Sequence, residues 1–110
     1  MMTEESLLKP GEKELKEMQP YIFDLIDQLN NILTQNEDIL TQNGLARRIS
    51  VTLSIMTLHR YNPDIFMKEV WDDVLQLVEE LKKIPQLSGQ LNDLLADIDK
   101  LNELKKEAGI

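Results

Sequence analysis

The sequence has no cysteine, which removes disulfides, thiolate catalysis and zinc sites built on thiolates. Glycine and proline number four each, too few for a loop-rich or low-complexity chain. Only 5% of the residues are aromatic. Sheets draw on aromatic and β-branched side chains, so this scarcity, beside plentiful Leu, Ile, Glu, Lys, Gln and Asn, favours helices packed through aliphatic surfaces. Bases are also short, twelve against twenty acids for a net charge of −8; the summed field repels phosphate backbones, and no nucleic acid partner is expected. No apolar run approaches the ~18 residues of a membrane span. The opening MMTEESLLKPGEKE lacks the basic, apolar and small-residue order of a secretory leader, so a cytoplasmic protein away from membranes is the expectation.

Catalytic signatures are missing as well. The chain has no glycine-rich phosphate loop, HExxH, GxSxG or EF-hand loop. The single histidine, His59, has Ile55, Met56 and Asn62 at the offsets where a di-iron bundle needs a carboxylate. The acidic pairs Asp72 with Asp73 and Glu79 with Glu80 point about 100° apart on a helix and cannot converge on one substrate atom. Neither an enzyme nor a cofactor or metal is expected.

What is present reads as a single domain. At 110 residues the chain closes one core, and 42% hydrophobic with 29% charged residues is the balance of an ordered fold. Residues 1–14 are polar, with Pro10 and Gly11, and are expected to form a flexible N-terminal segment ahead of a helical domain at 15–110. From Leu15 the apolar positions Met18, Ile22, Leu25, Leu29 and Ile32, then Asn36 and Ile39, alternate in steps of three and four, the pattern of a helix with one buried face. Pro20 suits a first helical turn, so the main helix is expected to begin there after a short lead-in.

Within this segment the phrase ILTQN occurs twice, at 32–36 and 39–43. Seven residues are two helical turns, so the copies would stack Ile32 over Ile39 and Asn36 over Asn43 on one face, with Asn43 and Gly44 ending the helix. Asn36 would then occupy the seam, where a buried amide fixes register or oligomeric state. The rival reading ends the helix near Gln35 and uses Asn36, Glu37 and Asp38 as a turn.

Residues 45–60, LARRISVTLSIMTLHR, hold three arginines and a histidine but no acid. Period two fits a strand, with Ile49, Val51, Leu53 and Ile55 alternating with polar residues. Period 3.6 gives two stripes, one of Leu45, Ile49, Leu53 and Met56 and an opposite one of Val51, Ile55 and Leu58. Helix is the favoured reading, because no second strand candidate exists to pair its backbone. Asn62, Pro63 and Asp64 start another helix, running through Met67, Val70, Val74, Leu77, Leu81 and Ile84 and stopping before Pro85. A last helix, capped by Ser88, carries Leu87, Leu91, Leu94, Ile98 and Leu101, with Lys105 and Lys106 at its negative end.

The expected fold is therefore all-α, an antiparallel three- to four-helix bundle with coiled-coil-like packing. The favoured function is a non-catalytic interaction module, an adaptor, regulator or assembly subunit. It would dock a protein partner or a second copy through the stripe Val51, Ile55 and Leu58, flanked by Arg47, Arg48 and His59. Two other readings stand beside it. One is a ligand-binding or small enzymatic subunit with a pocket between helices near Met56, His59, Tyr61 and Trp71. The other is an acidic mimic that occupies a nucleic-acid-binding protein.

Overall fold

The computed structural model describes residues 11–110, and over them the chain is all-helical. Residues 1–10, most of the segment expected to be flexible, lie outside the described residues. Helix α1 spans Glu12–Gln35, so helix already covers Glu12 to Glu14, ahead of Leu15. It also runs straight through Pro20, correcting the expectation of a start there. Pro20 lies on the exposed side of α1, where water can take the place of the N–H that proline lacks. The stripe Met18, Ile22, Leu25, Leu29 and Ile32 is buried as the spacing requires.

The chain then breaks. Asn36 leaves helical geometry at φ −130°, ψ 28°, and a short helix α2 follows at Glu37–Gln42. The two ILTQN copies are thus not stacked turns of one helix but two helix stops. In each, the Asn side chain donates back to the carbonyl of the Ile four residues earlier, Asn36 to Ile32 at 3.0 Å and Asn43 to Ile39 at 2.7 Å. The break also rephases the buried face: the first copy buries Ile32, the second Leu40, while Ile39 is only half-buried. Gly44, at φ +71°, closes α2 with Gly44 N–H on the Thr41 carbonyl and Leu45 N–H on the Leu40 carbonyl, the paired bonds of a left-handed glycine cap.

Residues 45–60 are helical and not extended: α3 spans Ala46–Leu58. Next come α4 at Pro63–Ile65, one wide π-helical turn at Phe66–Val70, and α5 at Trp71–Lys82, continuous along one rod. Asn62 makes no side-chain capping bond; its carbonyl alone accepts the Phe66 N–H, at 2.9 Å. In the π turn the Trp71 N–H reaches back five residues to the Phe66 carbonyl. That spacing lines the two residues up, with their rings 6.3 Å apart. Phe66, Met67, Val70 and Trp71 can then all enter the core.

Pro85 stops the rod as expected, but Ser88 caps nothing: Pro85–Gln90 form a 3₁₀ turn, and α6 starts only at Asn92, running to Ala108. Lys105 and Lys106 sit in its last turn. The start of α1 meets the end of α6, since a side chain at Gly11 would lie 3.1 Å from the Ala108 carbonyl. The other ends meet too, where Asn36 bonds to Gln90. Helix α1 packs against α3, α4 and α6 and so forms the centre of the core. Among the described residues, no helix is long and apolar enough to cross a membrane.

Candidate functional site

Helix α3 carries more apolar surface than the core accepts. Leu45, Ile49, Leu53 and Met56 are buried and face α1 and α5. Val51, Ile55 and Leu58 remain 52%, 38% and 73% exposed. At 100° per residue, Leu58, Val51 and Ile55 fall within an arc of about 60°, with Arg47 bordering it on one side and Arg48 on the other. Both arginines are exposed, and neither forms an ion pair with a described residue. His59 is half-buried and ends the helix, its N–H on the Ile55 carbonyl at 3.2 Å.

The C-terminal end of α3 adds a feature that the sequence reading missed. Gln19 donates its side-chain amide to the Arg60 carbonyl, tying this end to α1. The Arg60 guanidinium donates to the Thr57 carbonyl and lies 4.5 Å over the Tyr61 ring. Tyr61 meets Phe23 of α1 edge to face at 5.5 Å and is 65% exposed. It forms the ridge between two surface grooves. One, of about 420 Å³, is lined by Phe23, Ile26, Asp27, Thr57, Arg60 and Tyr61; the other, of about 220 Å³, includes Leu15, Gln19, Tyr61 and Pro63. Phe23, off the main stripe of α1, was the available signal: an aromatic residue on a helix's outer side needs something to cover it.

Of the residues expected around an inter-helix pocket, His59 is half-buried and Tyr61 exposed, while Met56 and Trp71 lie in the core. Met56 is fully buried and Trp71 is 1% exposed. The indole N–H of Trp71 is spent on the Asn102 side chain at 2.9 Å. At Met56 and Trp71 a ligand could displace only core packing, and the open space nearby is the pair of grooves beside Tyr61.

Asn36 is half-buried, and its amide is taken up inside the chain. Its Nδ2 donates to Gln90 Oε1 at 2.7 Å, and its Oδ1 accepts from Gln90 Nε2 at 3.2 Å, a two-way amide pair that pins the end of α1 to the turn before α6. Two open polar grooves, of about 450 and 340 Å³, lie on either side of it. The acidic pairs on α5 are exposed or half-buried, and Glu79 and Glu80 reach Lys82 and Lys83 at 3.1 and 3.2 Å.

One carboxylate is out of place. Asp97 of α6 is 8% exposed, and its Oδ2 has no hydrogen-bond partner. Burial, a carboxyl–carboxyl hydrogen bond to Asp24 of α1 and the charges of Asp24 and Asp93 push its pKa from 3.8 up to about 7. Among the described residues no group of His, Cys, Asp and Glu is arranged to hold a metal ion; the carboxyl pair lies between α1 and α6.

No protein-family model matches the chain, and no curated protein or solved structure proved similar to it. The functional reading rests on the surface itself.

Proposed function

We propose that this chain is a non-catalytic protein–protein interaction module, an antiparallel helical bundle that docks a protein partner through the outward face of α3. The observation that carries it is the exposure of Val51, Ile55 and Leu58 on a helix whose opposite face already fills the core. Burying such a stripe contributes about 25 cal/mol per Å² of apolar surface, and a stripe rimmed by charge is the anatomy of an interface. The bundle reading is supported by the opposed ends of α1 and α6. It is also supported by the three-and-four spacing of their buried residues, which suits shallow, coiled-coil-like crossing.

Ile55→Asp tests the reading. The variant should keep its helical circular dichroism and lie within about 1 kcal/mol of the wild type in urea unfolding, as a surface change does. Used as paired baits in one extract, wild type should retain a partner that Ile55→Asp releases. Global unfolding of the variant, or identical capture by both proteins, would overturn the proposal.

A further inference from the structure

The charge around the exposed stripe identifies the kind of partner it fits. Helix N-termini carry partial positive charge and are stabilised by acids in the first turn. Here α1 begins with Glu12 and Glu14, the rod of α4 and α5 with Asp64, and α6 with Asp93. Helix α3 has no acid in its first turn and places Arg47 and Arg48 there instead, where the helix pole and two guanidinium groups repel one another. Nothing in residues 45–60 offsets this, since that segment contains no acid at all. The first turn of α3 itself gains nothing from the arrangement; a docked anion would relieve it.

We infer that the outward face of α3 takes an acidic amphipathic helix of another protein, its apolar stripe laid along Val51, Ile55 and Leu58 and its flanking carboxylates on Arg47 and Arg48. The inference rests on the docking role of this face and names the occupant. A second copy fits poorly. Two α3 helices packed antiparallel about Val51 and Ile55 bring Arg47 and Arg48 towards Arg60 of the other copy, and packed parallel they bring like residues together. Either way cation meets cation. The acids of a second copy help little, because α5 exposes Asp72, Asp73 and Glu79 with no exposed large apolar residue of its own, and Ile65 of α4 is the single exposed apolar anchor on that rod, against three on α3. An anionic membrane is opposed by the net charge of −8. Helix-on-helix recognition reads anchors spaced at three and four residues, the spacing that α3 presents.

The test uses the full chain and two synthetic helical peptides with the same leucine stripe, one flanked by glutamates and one by lysines. Binding is followed by amide chemical-shift changes in the protein. The glutamate peptide should bind about tenfold more tightly than the lysine peptide at low salt, shift residues 47–58, and lose most of that preference when salt is raised. Arg47→Glu with Arg48→Glu should reverse the preference while leaving the fold intact, and Ile55→Asp should abolish binding of both peptides. Equal binding of the two peptides, removed by Ile55→Asp, would leave the docking face standing and overturn the acidic occupant. A wild-type dimer that Ile55→Asp dissociates would identify a second copy instead, and preferential binding to phosphatidylserine vesicles would identify a membrane. If neither peptide shifts α3, both the occupant and the docking face are overturned.

Discussion

Asp97→Asn should make the protein more stable, and only above mildly acidic pH. In the unfolded chain the carboxyl ionises near 3.8, while in the fold it holds its proton up to about 7. Below 3.8 both states are protonated and the residue costs nothing. Between 3.8 and about 7 the unfolded state ionises while the folded state keeps its proton, so stability falls as pH rises. Above that interval both states are charged and the penalty stays constant. At 1.4 kcal/mol per pH unit the full interval corresponds to about 4 kcal/mol. The carboxyl sits at the edge of the α1–α6 interface beside the exposed Asp24, and solvent screening of both the burial and the charge contributions discounts the figure to about 2 kcal/mol.

Asparagine keeps the shape and cannot ionise. Urea unfolding of wild type and variant at intervals from pH 4 to pH 8.5 should show stability curves that run parallel at pH 4 and separate by about 2 kcal/mol at pH 8. In thermal melts this is about 10 °C for a domain of this size. Asp24→Asn should recover a smaller part of the gain, because burial is the larger cause of the perturbation and Asp24 the next. The difference between the two proteins is the quantity to follow, since carboxylates elsewhere titrate equally in both. A constant difference at every pH would refute the reasoning and show that Asp97 is ionised in the fold throughout the range.

Leu25→Ala, at a fully buried position in the middle of α1, should cost about 2–5 kcal/mol in urea unfolding. Leu58→Ala, at 73% exposure, should stay within about 0.5 kcal/mol; a large loss there would mean that the stripe is core. Gly44→Ala should destabilise by about 1 kcal/mol through its left-handed backbone alone, because an added methyl meets nothing within 4 Å. Gly89→Ala, in equally open space but without a positive φ, should be neutral or stabilise by about 0.5 kcal/mol. Asn36→Leu removes all three side-chain hydrogen bonds at the break, so α1 and α2 should fuse, with backbone carbon shifts at 35–38 becoming continuously helical. A persistent break would show that burial of Leu40 sets the bend.

The parts of the fold legible in the sequence were those governed by periodicity over many residues. Met18 to Ile32, Val70 to Ile84 and Leu91 to Leu104 each repeat the three-and-four step, and every residue on those stripes is buried. Periodicity is a collective signal: one discordant residue changes it little, and tertiary packing enforces it. The errors fell where one side chain decides the local geometry. Asn36 sits at a seam position on the repeat, yet its amide prefers the Ile32 carbonyl and Gln90 to a place in a continuous helix. The start at Glu12, the start at Asn92 and the π turn at Phe66–Val70 have the same character. Each depends on which backbone bond wins by a fraction of a kilocalorie, and pattern matching does not resolve that.

The surface of α3 follows a different logic. Its two stripes were visible in the sequence, but which one faces the core could not be read from α3 alone, because Leu45, Ile49, Leu53 and Met56 are no more apolar than Val51, Ile55 and Leu58. What decides is that α1 already carries α6 and α4 around it, leaving room for only one face of a thirteen-residue helix. Charge breaks the remaining ambiguity. Of the two faces only one is bordered by Arg47 and Arg48, and burying two unpaired guanidinium groups would cost several kilocalories each. The arginines thus select the orientation of α3 in the fold, and in doing so leave Val51, Ile55 and Leu58 in water. Orientation and the proposed docking chemistry would then share one cause, so Arg47→Leu with Arg48→Leu should loosen both. Hydrogen exchange along α3 would report the first effect, and loss of preference between the acidic and basic peptides the second.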